Sequence, residues 1–245
     1  MTSIIVLIKL IAAHLVGDFL LQPDYICNRK HSPKTCRRYC ALGVHALINA
    51  LVAYIFVAQW ENWVVPLVIG LSHFAIDWVK TRSKVSNIIG FVSDQFAHLA
   101  VILLLWWFGF VLSPGNPDAA HYGFSLRAWL VITSYIAVLS PASILIKLFM
   151  EYEKWIPTDA KSMGMPNAGK WIGYLERILI LTFIFTGNIE GIGFLLAAKS
   201  VFRFGELNRA SDIKTTEYVL IGTFVSFTIA ILTGFGAEWL CENFF

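Results

Sequence analysis

Apolar residues run almost unbroken through eight stretches of this chain, at approximately 3–22, 41–59, 63–80, 88–112, 125–149, 171–188, 190–204 and 217–236. Between them lie polar segments holding Pro, Gly, Asn or charge. A helix needs roughly 20 apolar residues to cross a bilayer core. The pattern therefore predicts an all-α fold, a polytopic transmembrane helix bundle of about eight spans. The seventh stretch, 190–204, is the shortest. By content the chain divides into a half rich in His and Asp motifs, 1–112, and a second half, 113–245, which are expected to form one integrated membrane domain. No internal repeat is evident, which argues against an inverted-repeat transporter.

Composition agrees with the pattern. The 245 residues are 57% hydrophobic and 14% charged, against about 45–50% and 25% in soluble domains. A net charge of +3 does not suggest nucleic acid as a partner. The basic residues are unevenly placed. Segment 23–40 holds Arg29, Lys30, Lys34, Arg37 and Arg38; segment 80–87 holds Lys80, Arg82 and Lys84; segments 150–170 and 203–216 hold three each. The opposite connections hold only Arg127. Cytoplasmic loops carry the excess of Lys and Arg, so both termini are expected outside. Trp60, Trp63, Trp106, Trp107 and Trp239 fall near the outer ends, where an aromatic belt sits. Three of the four cysteines (Cys27, Cys36, Cys40) lie in the basic loop. Disulfides are not expected in the cytoplasm, and Cys36 and Cys40 with His31 match no standard zinc spacing. The first apolar stretch contains Lys9, His14 and Asp18 and lacks a small-residue cleavage site, so it does not read as a cleavable signal peptide.

Four of the six histidines lie inside apolar stretches, and three of these have an aspartate four residues away: His14/Asp18, His73/Asp77 and Asp94/His98. Residues at i and i+4 share one helix face. His45 stands in the second stretch. At ~1.5 Å rise per residue, the predicted topology puts all of these within roughly 4–10 Å of the cytoplasmic surface, or about one turn deeper. A lone buried histidine reads as a hydrogen-bonded core residue, but four helices carrying imidazole and carboxylate at matched depth read as a metal site. Ionisable groups within a membrane are functional candidates by default. The bland alternative, a hydrogen-bond network joining helices, usually draws on Ser, Thr, Asn or Gln. Imidazole with carboxylate suits zinc foremost, or manganese or iron. The seven residues His14, Asp18, His45, His73, Asp77, Asp94 and His98 are too many for one tetrahedral zinc. They suit two ions sharing a bridging aspartate, or one ion whose imidazoles are oriented by further carboxylates. Gln22 and Gln95 adjoin the set, to orient substrate or to satisfy a helix end.

The second half carries Glu176, Lys199 and Arg203, with Arg177, Glu206 and Glu217 nearby. Two readings stand side by side: salt bridges between helices, for instance Glu176 with Lys199, or a cationic wall that holds an anionic headgroup. Gly169/Gly173 is a small-xxx-small pair expected to allow close helix packing, and Gly187, Gly191 and Gly193 mark a tight turn.

The segments A-H-L-V-G-D-F-L-L-Q (13–22), H-F-A-I-D-W-V-K (73–80) and D-Q-F-A-H (94–98) resemble an uncharacterised bacterial multi-pass membrane family, over roughly residues 1–110. Residues 197–207 and 217–223 look like the C-terminal half of its longer members. The family is distantly similar to the inner-membrane proteins called metal-dependent hydrolases. The resemblance implies a bacterial inner-membrane location and a metal site. From these residues the expected function is a membrane-embedded, metal-dependent hydrolase. Its substrate is an anionic amphiphile, a lipid or lipid-linked phosphate or ester, entering from the inner leaflet. Metal-bound water is the nucleophile, Asp18 or Asp94 the base, and Lys199, Arg203 and Glu176 the substrate-binding groups. A divalent-cation or proton transporter is the alternative. A membrane subunit of a larger assembly, with a structural metal and the 23–40 loop as the docking surface for a protein partner, is a third.

Overall fold

The computed structural model describes residues 2–30, 32, 34–83, 87–112, 124–155, 167–204 and 210–244, with the side chains of residues 2, 87, 202–204 and 210–215 outside that description. The fold is all-helical, with no strand among the described residues. The helices are α1 (Thr2–Leu15), α2 (Asp24–Lys30), α3 (Thr35–Val57), α4 (Val64–Lys80), α5 (Asn87–Trp106), α6 (Leu126–Val138), α7 (Ser140–Tyr152), α8 (Ala168–Phe185), α9 (Glu190–Phe204) and α10 (Ala210–Phe244). Wider π turns extend α1 through Val16–Leu20 and α5 through Trp107–Val111.

Helices fall where all eight apolar runs predicted them, and among the described residues five stretches are long and apolar enough to cross a bilayer by themselves: Ser3–Leu20, Thr35–Val57, Ile88–Val111, Leu126–Tyr152 and Thr216–Phe244. The physical difference is readable. Helix α4 has 17 residues and α9 has 15, while α8 carries Lys170, Glu176 and Arg177. The predicted run 125–149 is one stretch broken at Leu139, where Pro141 follows at the second position of α7. Proline has no N–H and disfavours helical backbone before it.

The chain forms two compact units, Met1–Thr133 and Ser134–Phe245. In the first, α1 packs on α3, α3 on α4, α4 on α5, and α5 back on α1, closing a four-helix ring; the short α2 lies against α3. The outer face is apolar: Leu51, Leu71 and Phe96 are exposed, as a lipid-facing surface requires. The interior is apolar over the half of the ring where α1 begins and α3 ends. There Val6, Leu10, Ala53, Val57, Val65, Ile69, Ile102 and Leu105 form one core, and the Trp106 indole N–H donates to the Ser3 carbonyl at 2.6 Å. The other half of the interior is polar and holds the candidate site.

In the second unit α10 packs on α7 and α8, and α8 also packs on α7 and α9. The core is Val138, Ile180, Leu181, Ile184, Phe227 and Ala230. Gly234 makes this packing possible, since a Cβ there would meet Ile184 at 2.6 Å and Leu181 at 3.0 Å. The pair Gly169/Gly173 does something other than pack helices. Nothing lies within 4 Å of a Cβ at Gly169, and one at Gly173 would meet the guanidinium of Arg177 at 3.1 Å. Gly187, at φ +73°, makes the turn from α8 to α9.

Candidate metal centre

Helix geometry brings the sequence-expected ligands of the first unit together. His14 and Asp18 close α1, His45 lies in the opening turns of α3, His73 and Asp77 close α4, and Asp94 and His98 lie early in α5. Successive helices of the ring run in opposite directions, so all of these fall at one end of it. His45, His73, Asp77, Asp94 and His98 are buried. The π turn after α1 contributes directly. Its Leu21 N–H bonds to the Val16 carbonyl, five residues back, at 2.9 Å. The wider turn carries Gly17 and Asp18 toward α3 and α4.

At the centre four polar atoms from three elements meet. The Nε2 atoms of His45 and His73 are 3.0 Å apart, and each is 3.1 Å from Asp18 Oδ1. The side-chain amide of Asn49 completes the group, its Nδ2 lying 3.1 Å from Asp18 Oδ1, 3.3 Å from His45 Nε2 and 3.2 Å from His73 Nε2. These six separations describe a nearly regular tetrahedron. The middle of such a figure lies about 1.9 Å from each corner, within about 0.2 Å of the bond a zinc ion makes to oxygen or imidazole nitrogen. As a hydrogen-bond cluster the same group is frustrated. Each neutral imidazole has at most one proton to offer at Nε2 and the amide has two, so linear bonds cannot run along all six edges. The Asn49 Oδ1 atom, meanwhile, is buried without a hydrogen-bond partner. Oxygen and nitrogen of an amide are exchangeable by a half-turn, and that turn points Asn49 Oδ1 at the middle of the group.

A second group adjoins the first. Ligand atoms of Asp77, Asp94 and His98 lie within 4.8 Å of one another, as do those of His14, His73 and His98. Asp77 Oδ2 also lies 3.7 Å from His45 Nε2 and 3.9 Å from His73 Nε2, which sets this carboxylate between the two groups. Asp94 Oδ1 and His98 Nε2, 3.6 Å apart, are both buried without hydrogen-bond partners. The rings of His73 and His98 stack at 4.0 Å.

Further residues hold the ligands. Gln95 bonds His14 Nε2 through its Oε1 at 3.2 Å and donates toward Asp18 Oδ2 at 3.4 Å and Asp94 Oδ2 at 3.3 Å. Lys30 Nζ donates to Asp77 Oδ2 and Lys80 Nζ to Asp94 Oδ2, each at 2.6 Å. With its amide turned, Gln22 donates to the Asp18 carbonyl at 2.9 Å and accepts from Lys30 Nζ at 2.8 Å. On the interior side a small cavity is lined by His14, Asn49, His73 and His98 and, one helical turn further in, by Leu10, Ala53, Ile69 and Ile102.

Sequence reasoning missed Asn49, Lys30 and Lys80 as site residues. Asn49 had a signal, since it stands four residues after His45 and so shares its helix face. Gly17 is the matching clue. A Cβ at Gly17 would come within 2.1 Å of Asn49 Oδ1, so glycine there is what admits the amide.

Of the residues expected to bind substrate, Lys199 and Glu176 are paired with each other in the second unit, at 2.7 Å, which is the salt-bridge reading. The side chain of Arg203 lies outside the described residues, as does His31. Cys27, Cys36, Cys40 and Cys241 are free thiols.

Residues 6–122, just under half of the chain, match the model of a family described as "Protein of unknown function (DUF3307)". That stretch contains every residue of the candidate centre. No curated protein and no solved structure matches the chain.

Proposed function

We propose that the first unit is a metal-dependent hydrolase centre set in the membrane near its cytoplasmic face, acting on an anionic amphiphile that enters from the inner leaflet. The observation that carries this reading is the tetrahedral meeting of Asp18 Oδ1, His45 Nε2, His73 Nε2 and the Asn49 amide, at separations of 3.0–3.3 Å. One divalent ion, zinc foremost, satisfies all four corners at once. The Asp77, Asp94 and His98 group takes a second ion, with Asp77 between the two. Two such ions activate a water near neutral pH and clamp the oxygens of a group under attack. Asp18 and Asp94, the two carboxylates considered as a base, then serve as ligands. His14 and Gln95 orient them.

Two observations favour hydrolysis over ion transport. The site lies at one end of the ring, not at its middle, and the interior beyond the small cavity is closed by the apolar core from Leu10 and Ile69 to Val6 and Val65. A cation crossing that core would have no polar partner. The Lys and Arg bias of segments 23–40 and 80–87 supports an inner-membrane topology with both termini outside and the site on the cytoplasmic side.

The test is elemental analysis of the purified protein alongside metal-supplemented turnover of lipid phosphates and lipid esters, with Asp94→Asn as the inactive control. About two bound ions and turnover lost in that variant are expected. Absence of bound metal would remove the centre. Metal flux across vesicles that needs the same residues, without hydrolysis of any lipid, would replace the enzyme with a transporter.

A further inference from the structure

The substrate class follows from the charge at this centre, and this step rests on the two-ion reading above. The cluster holds three carboxylates, Asp18, Asp77 and Asp94, and two ammonium groups, Lys30 and Lys80. These five groups alone sum to 2 − 3 = −1. Two divalent ions bring the centre to +3, and an activated water that has lost a proton brings it to +2. Uncompensated charge of that size is costly in a low-dielectric interior. The complement is an anion of charge −2.

The geometry says where that anion sits. Lys30 and Lys80 each pair their ammonium with one carboxylate oxygen, Oδ2 of Asp77 and of Asp94, at 2.6 Å, and Lys30 also donates to Gln22. Those two carboxylates are the ones assigned to the second ion, which takes over the neutralisation of both. An ion held by those carboxylates would free the two ammonium groups to meet an incoming anion. Their exposures differ in an informative way. The Lys30 side chain, at the end of α2, is 8% exposed, whereas that of Lys80 is 38% exposed. The other charged or imidazole side chains of the cluster are at most 11% exposed. The way in therefore passes Lys80, at the end of α4, and the deeper ammonium is Lys30.

We infer that Lys30 and Lys80 form the binding clamp for a phosphate monoester dianion, held against the metal centre and hydrolysed there. A diester or a carboxylic ester lacks the second negative charge, and Lys199 and Arg203 are not needed to hold it. In the step, the oxygen of the activated water bonds to phosphorus and the bond from phosphorus to the ester oxygen breaks. The departing alcohol takes up the proton that the water gave, so one water is consumed and one alcohol and one inorganic phosphate are released. A lipid headgroup and a soluble phosphomonoester share this chemistry.

The full-length protein in detergent, loaded with zinc or manganese, is titrated with inorganic phosphate. Binding should weaken about 10- to 100-fold in Lys80→Met, the loss of about one charge-assisted hydrogen bond, while metal content stays at the wild-type level. Lys80 reaches the surface, so its replacement leaves the fold intact; Lys30→Met should show the same loss and is read only if it too retains metal. Turnover is then compared on vesicles of neutral phospholipid doped with a lipid phosphomonoester, on the same vesicles doped with a phosphodiester lipid, and on a soluble phosphomonoester. Release of phosphate from either monoester supports the clamp and tells the two sources apart. Metal bound normally, with phosphate affinity indifferent to both lysines or with the diester preferred, overturns the clamp and leaves the metal centre standing. A wild-type protein that holds no metal overturns both.

Discussion

The two units both bury charge among apolar helices, and they dispose of it in opposite ways. In the second unit, the break at Leu139 leaves helix-end carbonyls open to further donors. Arg177 supplies them: its Nε donates to the Val138 carbonyl, its NH2 group reaches Leu139 O and Ser143 Oγ, and its NH1 group donates to Ser226 Oγ at 2.8 Å. Glu176 is matched by Lys199. Each donor meets an acceptor, and the chemistry closes on itself. In the first unit like faces like. Two imidazole nitrogens stand 3.0 Å apart, a carboxylate oxygen sits against both, and His45 Nδ1, Asn49 Oδ1, Asp94 Oδ1 and His98 Nε2 are left over. Burial of ionisable groups is common to the two. Unsatisfied polar atoms set the first unit's cluster apart from a network that braces.

The largest expected effect breaks this comparison if it fails. His73 is a corner of the tetrahedral group with Asp18, His45 and Asn49, so His73→Ala should remove the ion held there and leave only the one held by Asp77, Asp94 and His98 in elemental analysis. Arg177→Met should leave metal content unchanged and instead lower thermal stability. At about 0.6 kcal/mol per interhelical contact in a membrane, four lost contacts come to about 2 kcal/mol. Metal loss in Arg177→Met with full stability would mean that the two networks are not separate kinds.

Asn49 sharpens the comparison next. Its amide is either one more brace or a ligand. Asn49→Ala should weaken metal binding about 10- to 100-fold, the range for losing a supporting metal contact, and Asn49→Asp should keep or tighten it, because the carboxylate presents the same oxygen with charge. A brace would respond in the reverse sense, since aspartate beside Asp18 adds repulsion and removes the amide donor. Competition with a chromophoric chelator measures both.

Gly17→Ala probes the same corner without replacing a ligand. The added methyl falls within 2.1 Å of Asn49 Oδ1 and 2.6 Å of its Cγ, so the amide must swing away. Metal affinity should fall about as far as in Asn49→Ala, and the double variant should cost little more than either alone, the signature of a shared cause.

How far the sequence led can be traced residue by residue. The seven His and Asp positions were legible because helical spacing and matched depth are local properties, fixed by counting. Asn49 was passed over because an amide in a membrane helix ordinarily joins helices, although its spacing from His45 was in plain view. Lys30 and Lys80 were read as topology charges. Their inward turn depends on α2 folding back against α3 and on the reach of a four-carbon stem from α4, which are tertiary events. Helices fall on all eight apolar runs, while five of the described stretches are long and apolar enough to span by themselves. Hydropathy marks apolar length, but the break at Leu139 comes from one proline, and the charges of α8 are tolerated through partners on α7, α9 and α10.

The smallest expected effect concerns Lys199, whose place in the comparison rests on one contact. Its side chain is 27% exposed and its ammonium meets Glu176, itself 9% exposed, at 2.7 Å. If the pair is a brace, Lys199→Met should cost about 1 kcal/mol or less, since partial exposure screens the attraction. It should leave metal content and phosphate affinity at wild-type values. The isosteric control Glu176→Gln should lower stability by a similar amount, because either change breaks the same bond, and the double variant should cost less than the two singles added. A cationic wall for substrate behaves otherwise. Lys199→Met would then weaken phosphate binding, whereas Glu176→Gln would strengthen it by freeing the ammonium. Opposite signs in the two single variants, measured by phosphate titration of the metal-loaded protein, would move Lys199 from the bracing network to the binding one.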